Sequence, residues 1–346
     1  MHARVIDYSL LALVLIEVIS GLASFLVGKP EGSWLFMLHG VLGLAILVLL
    51  VWKVRRVFVR LWRPQHWDRA TVVAALALVA VLATVLSGVI WTAFQWPLGY
   101  PNGLNWHVIF GLLLACAVLG HMALRFKPLH RRHFLGRRTA LRYAGIIATG
   151  GLLWQGHAQI SRVARLPGAN RRFTGSREIG SRQGLAFPVT MWMLDNPQPL
   201  DVKEWRLHVA GAVAHPFELS VADLARGRIV TQDAILDCTG GWYTAQTWRG
   251  LSVGWLLQQA RPLPGARAVS FVSVTGYRWS VPLTEAASLL LATHAGDEPL
   301  DHGHGAPLRL VAPGRRGFQW VKWVTEVRVL QQPDLGQWIA IFNSGL

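Results

Sequence analysis

Cysteine is nearly absent. The 346 residues contain two, Cys116 and Cys238, more than a hundred positions apart, which excludes a disulfide framework. Acids are almost missing from the first half. Up to His157 only Asp7, Glu17, Glu31 and Asp68 are acidic, against fifteen Lys and Arg. The remainder has nineteen basic and fourteen acidic residues, an ordinary soluble balance. Most of the formal net charge of +16 therefore belongs to an apolar half, and no nucleic-acid-binding motif accompanies it. Charge beside long apolar runs is a topology signal. The expected organisation is a membrane domain over 1–135, a connecting segment over 136–157 and an extracytoplasmic domain over 158–346.

Four runs are long and apolar enough to span a bilayer: Tyr8–Gly28, Trp34–Trp52, Ala70–Phe94 and Trp106–Leu124. The connection after the second contains Lys53, Arg55, Arg56, Arg60, Arg63 and Arg69. The one after the fourth contains Arg125, Lys127, Arg131, Arg132, Arg137 and Arg138. The other two connections carry only Lys29 between them. The positive-inside rule then makes both basic connections and the N-terminus cytoplasmic, in an integral protein of the cytoplasmic membrane. Trp34, Trp91, Trp96 and Trp106 fall near the outer interface, where indole rings prefer to sit.

Histidine inside a bilayer is costly and usually functional. His39 and His107 each lie within about one turn of the outer end of their run, and each is followed four residues on by glycine, Gly43 and Gly111. His107 and His121 are fourteen residues apart, nearly one face and roughly 21 Å along a helix axis. That spacing suits two haem levels; interfacial histidines bonded to carbonyls or headgroups are the bland alternative. The pattern resembles the four-helix, bis-histidine cytochrome b family. The resemblance implies an outer haem b held by His39 and His107, and an inner one held by His121 with a histidine from the first helix. Here that first-helix position is Asp7; His2 and His66 are the substitutes, so one haem is expected and two is the upper limit.

Residues 136–154, "GRRTALRYAGIIATGGLLW", form a weakly apolar fifth span behind Arg137-Arg138. The stretch resembles a twin-arginine export signal, although the usual aromatic after the pair is missing. An ordinary fifth span gives the same topology, with everything after about His157 extracytoplasmic.

Beyond Pro199 the patterning changes. "WRLHVAGAV", "RAVSFVSVTG", "RWSVPL" and "LRLVAP" read as strands, and "SVADLARG" and "SVGWLLQQA" as short helices capped by Ser220 and Ser252. The expected fold is a multi-pass helical bundle, four spans plus a fifth connecting one, followed by an α+β domain. Within that domain Cys238 sits in "LDCTGGWYTAQTWRG", and as a lone thiol it is an inert core residue, a nucleophile or a metal ligand.

Four ordered blocks, "WRLHVAGAVAHPFELSVADL", "LDCTGGWYTAQTWRGLSVGWLL", "GYRWSVPLTEA" and "HGAPLRLVAPGRRGFQWVKWV", resemble the sulfite oxidase family of molybdopterin enzymes. The resemblance implies that Cys238 binds molybdenum as thiolate, beside two dithiolene sulfurs of one molybdopterin. It implies pterin or phosphate contacts from His304, Arg309 and Lys322, with Thr239 beside the cysteine as a further cofactor-binding candidate; Arg316 of "PGRRG" adds to them or lies in a solvated turn. Arg315 is a further cation of the same turn, serving the phosphate or only solvated. Tyr277 matches the family's active-site tyrosine and Trp248 a tryptophan lining its substrate pocket. Sulfite oxidases proper follow the cysteine with an asparagine and arginines that bind the sulfite dianion; here Trp242 and Tyr243 stand there. Losing that charge disfavours sulfite, leaving Arg249 and Arg278 as the remaining anion anchors. The aromatic pair resembles instead the bacterial branch that includes a periplasmic methionine sulfoxide reductase subunit. The expected substrate is a small or protein-bound S-oxide or N-oxide, with electrons exchanged through the haem and a membrane quinone pool; sulfite dehydrogenation and a non-catalytic anchored domain are the alternatives.

Overall fold

The chain is described here from a computed structural model covering residues 3–63, 65, 67–96, 101–126, 128, 137–191 and 195–345. His2, His66, Lys127, Arg131 and Arg132 lie outside the described residues. Two compact units emerge, Met1–Arg177 and Glu178–Leu346. The division falls beyond the expected His157: the connecting helix runs on to Val163, and the chain from there to Arg177 stays with the first unit.

The first unit has five helices, α1 (Ala3–Ser24), α2 (Ser33–Leu61), α3 (Arg69–Phe94), α4 (Gly103–Leu124) and α5 (Arg137–Val163). The first four are long and apolar enough to cross a membrane. Val14, Ile46, Val81 and Leu114, one from each of them, meet in a shared core. Outward-facing Ile19, Leu76, Val79, Leu86 and Leu113 are exposed, the reverse of a water-soluble bundle. Helix α2 absorbs Lys53, Arg55, Arg56 and Arg60, read from sequence as a connection. Lys and Arg are good helix formers whose stems run along apolar surface. Asp68 caps α3 by accepting from the Thr71 N–H, and Asn102 caps α4 in a reciprocal pair with Asn105. Helix α5 packs Ile146 against Ala45 and Leu49 of α2, but it is not among the membrane-length apolar helices. Its polar residues, Arg137, Arg138, Arg142, Gln155, His157, Gln159 and Arg162, dilute the apolar run.

The second unit is α+β. Its strands are β1 (Arg177–Glu178, at the junction along the chain), β2 (Arg206–Gly211), β3 (Phe217–Ser220), β4 (Ile229–Cys238), β5 (Trp242–Ser252), β6 (Ala268–Ser273), β7 (Arg278–Pro282), β8 (Leu290–Ala295), β9 (Glu298–Pro299), β10 (Arg309–Val311) and β11 (Val324–Leu330). Short helices α6 (Val221–Leu224), α7 (Val253–Ala260), α8 (Leu283–Ala286) and α9 (Gln337–Asn343) punctuate them. Ser220 and Ser252 cap α6 and α7 with their side chains, as their sequence positions predict. One sheet runs β3-β2-β11-β6-β7, with β2 and β11 parallel. The other runs β1-β5-β8-β10, with β4 on β5 and β9 on β8. Leu207, Val209, Val269, Phe271, Val327 and Val329, alternating along their strands, are buried in the core.

The β4–β5 hairpin presents the cysteine. Its antiparallel register runs from Ile229 opposite Leu251 to Cys238 opposite Trp242. The three-residue loop Thr239-Gly240-Gly241 needs a left-handed residue, which Gly241 supplies at φ +86. The pairing therefore ends with Cys238 and Trp242 side by side.

Candidate functional site

Cys238 is buried, and its Sγ accepts the Gly240 N–H at 3.3 Å. The turn carrying Arg316 lies along it through a bridge between Asp237 and Arg316. A Cβ on Gly317 would stand 2.9 Å from the Cys238 Cα, so only glycine admits this close approach. Burial pushes the thiol's pKa up, opposed by the Gly240 N–H. Metal coordination would deprotonate it.

A cavity of about 650 Å³, counting its open mouth, faces the sulfur. Thr239, Trp242, Tyr277, Arg309 and Lys322 line it with Cys238, and so do Thr190 and Asp195. Arg309, at the start of β10, is 4 % exposed, and no carboxylate among the described residues pairs with it. Its Nη1 donates to the His304 carbonyl at 3.1 Å, its Nε has no partner, and the Trp248 and Trp320 rings lie beneath it. Burial pushes its pKa down to about 10. Lys322 donates from Nζ to the Thr190 and Gly303 carbonyls, at 2.8 and 2.6 Å, and burial with Arg309 nearby pushes it down to about 7. A buried Arg309 and a half-buried Lys322, neither in an ion pair among the described residues, call for an anion from outside the chain, and a phosphate suits them. Among the described residues no cluster of three His, Cys, Asp or Glu could hold a metal ion by itself. One thiolate beside a phosphate cradle thus fits a metal whose other ligands come with a phosphorylated cofactor.

Other expected residues fall differently. His304 is buried, but Nδ1 meets Asp301 Oδ1 at 2.8 Å and Nε2 meets the Phe187 carbonyl at 3.0 Å. Both nitrogens are used within the protein, so His304 braces the Arg309 carbonyl contact rather than lining the cavity. Trp248, expected in the substrate pocket, is fully buried in the core, with Nε1 on the Ala234 carbonyl. It shares a face of β5 with Trp242 but lies six residues deeper, and Trp242 is the ring that reaches the cavity. Arg316 is buried with Nη2 on the Cys238 carbonyl and Nη1 3.3 Å from Asp237, buttressing the cysteine strand. Arg315 makes a two-pronged pair with Glu285 and belongs to the scaffold. The anion anchors also turn away: Arg249 is exposed and Arg278 pairs with Asp334 at 2.5 Å. Tyr277 does line the cavity. Its hydroxyl donates to the Phe318 carbonyl at 2.5 Å, and burial with the Asp195 charge pushes its pKa up. Thr190 and Asp195 went unread in the sequence; they sit on irregular chain where no periodicity marks them.

In the first unit the rings of His39 and His107 face each other, centroids 6.0 Å apart and planes at 82°. His107 Nδ1 donates to the Thr84 carbonyl at 2.8 Å. His39 Nδ1 lies 2.9 Å from both Ser20 Oγ and Glu17 Oε2. Each ring is held through Nδ1, which leaves both Nε2 atoms for a metal, at bonds of about 2 Å. The glycines that admit these rings are Gly21 and Gly88, where a Cβ would come within 3.4 and 2.9 Å of them. Gly43 and Gly111, expected to flank a macrocycle, face Glu17 and Thr84 instead. At the other end His121 Nδ1 meets the Ala70 carbonyl, and no histidine faces it among the described residues. Asp7 there pairs with Lys53 and Arg56, at 2.7 and 2.5 Å.

Residues 194–338 match the family model described as oxidoreductase molybdopterin binding domain. Curated relatives include the protein-methionine-sulfoxide reductase catalytic subunits of Xanthomonas axonopodis pv. citri and Gluconobacter oxydans. The first is 30% identical over 40% of this chain and 49% of its own length, the second 30% over 45% and 54%. A nitrate reductase [NADPH] of Fusarium oxysporum is 24% identical over 42% of this chain and 19% of its own length. Among solved structures, the sulfane dehydrogenase SoxCD of Paracoccus pantotrophus matches at TM-score 0.38 and 25% identity, covering 40% of this chain and 41% of that one. The chain thus spans about half the length of the reductase subunits it matches. A buried thiol on a hairpin end, the cations Arg309 and Lys322 lining the same cavity and the match over 194–338 give one conclusion: the chain carries a molybdopterin-binding oxidoreductase domain of the sulfite oxidase family.

Proposed function

We propose that this chain is a membrane-bound molybdenum oxidoreductase that reduces an S-oxide or N-oxide outside the cytoplasm, fed with electrons from membrane quinol through one haem b. The observation that carries the reading is the cavity in front of Cys238, whose cations are Arg309 and Lys322 and whose cysteine is followed by Trp242 in place of an anion-binding arginine. When bound, the cofactor supplies two electrons and takes the oxygen atom, so a sulfoxide with two electrons and two protons gives the thioether and water. Cys238 would hold the metal through Sγ, and Arg309 and Lys322 would hold the pterin phosphate. Tyr277 keeps its hydroxyl proton on the Phe318 carbonyl, at the cavity wall where a substrate oxygen can exchange for it. Trp242, whose Nε1 donates to Thr190 Oγ1 at 3.2 Å, supplies a fixed apolar wall that excludes water from the oxide.

His39 and His107 are assigned as the ligands of a single outer haem, and the Asp7 pairing with Lys53 and Arg56 takes the place of an inner one. The N-terminus and the basic connections lie in the cytoplasm, and the second unit is exported behind the Arg137-Arg138 signal. The test is the purified full chain, reduced under anaerobic conditions and offered methionine sulfoxide, trimethylamine N-oxide and sulfite. The reading expects reoxidation of a b-type haem band by the oxides. A protein with no haem band, or one turning over sulfite alone, would overturn it.

A further inference from the structure

Asp195 stands apart from every other group at the cavity. It is the one carboxylate among its lining residues, 7 % exposed, on irregular chain rather than a strand. Its Oδ1 is buried without a hydrogen-bond partner among the described residues, a costly arrangement unless something else uses the atom. Burial pushes its pKa up, and the neighbouring Thr275 and Lys322 oppose this by favouring the charged form. Asp195 lines the cavity together with Tyr277 and Lys322, close enough for its charge to act on both.

We propose that Asp195 is a specificity-determining residue that turns the cavity against oxyanions and toward oxides carrying no negative charge near the oxygen. The inference rests on the oxide-reductase reading of the same site. In a sulfoxide or amine oxide the oxygen is the negative end of a dipole and the sulfur or nitrogen the positive end. Such an oxide carries no net charge, so the carboxylate on the cavity wall does not repel it. Sulfite brings a full negative charge to the same place, and two like charges in a partly dry cavity repel strongly. Neutral or cationic S-oxides, methionine sulfoxide within a peptide among them, are thus the favoured class.

The experiment compares full-length wild type with Asp195→Asn and Asp195→Glu at matched molybdenum content. Two quantities are read: the ratio of kcat/KM for sulfite to that for dimethyl sulfoxide, and the Kd of unreactive sulfate from tryptophan fluorescence, which needs no turnover. Asp195→Asn is expected to shift the ratio toward sulfite about tenfold or more and tighten sulfate about tenfold, while Asp195→Glu leaves both near wild type. Unchanged sulfate affinity and an unchanged ratio in Asp195→Asn overturn the assignment. If wild type oxidises sulfite and reduces no oxide, the oxide reading fails, and the sulfate comparison still decides the role of Asp195. Should Asp195→Asn not accumulate folded, Asp195→Ser carries the same comparison.

Discussion

Replacing Arg309 with Met separates what this cation does for folding from what it does for the cofactor. In the protein without cofactor, the guanidinium is buried with no paired carboxylate, and its pKa falls from 12.5 to about 10. At 1.36 kcal/mol per pKa step, keeping it charged costs about 3 kcal/mol. Met fills similar length without charge. It loses the bond to the His304 carbonyl and the position over the Trp248 ring, together about 1–2 kcal/mol. The cofactor-free Arg309→Met protein should therefore be more stable than wild type by about 1–2 kcal/mol, a rise of about 3–6 °C in Tm for a unit of this size. The loaded protein should behave oppositely. A charge-assisted phosphate contact is missing, and the Tm increment on loading should shrink by about 1.5–3 kcal/mol equivalent. The assay is thermal unfolding followed by tryptophan fluorescence, on full-length protein from cells with and without cofactor supply. An unloaded variant less stable than wild type, with an unchanged loading increment, would refute the anion-cradle argument.

Lys322 makes a pH prediction. Its pKa is about 7 folded against 10.5 free, so the folded state has shed a proton that the unfolded chain keeps. Stability of the unloaded protein should then rise between about pH 7 and 10, and Lys322→Met should flatten that rise in urea titrations across the range. Because a bound phosphate favours charged Lys322, cofactor retention should weaken as pH climbs through the same window, read as molybdenum left after dialysis. Gly317→Ala should lose molybdenum at least tenfold while the fold persists, since the new Cβ would sit 2.9 Å from the Cys238 Cα; metal content with circular dichroism checks it. If His39 and His107 hold a haem as proposed, Glu17→Gln removes an acceptor from His39 Nδ1 and should raise the haem midpoint potential by on the order of 65–130 mV, from a charge-assisted bond worth about 1.5–3 kcal/mol. A potentiometric titration showing no shift would detach Glu17 from the haem.

The sequence made the large features legible because their signals are local and periodic. Apolar runs of membrane length mark α1 to α4, and serines ahead of apolar periodicity mark α6 and α7. The block around Cys238 pointed to the molybdopterin-binding domain because residue types in order survive where spacing in space cannot be read. What stayed hidden depends on tertiary direction. Trp242 and Trp248 share one face of β5, and only the hairpin end decides which reaches the cavity. His304 carries the right ring, but Asp301 and Phe187 already occupy its nitrogens. The buried Asp195 comes from chain with no period, and Glu17, an acid inside an apolar run, was a visible signal whose partner on α2 was not.

The most direct measurement is molybdenum K-edge X-ray absorption on the loaded full chain, wild type beside Cys238→Ser at equal metal content. With Cys238 as the protein ligand, wild type shows three sulfur neighbours and the variant two, with an oxygen-type neighbour in place of the third. The same sulfur count in both would contradict the assignment of this thiol to the metal, and with it the reading of the cavity it faces.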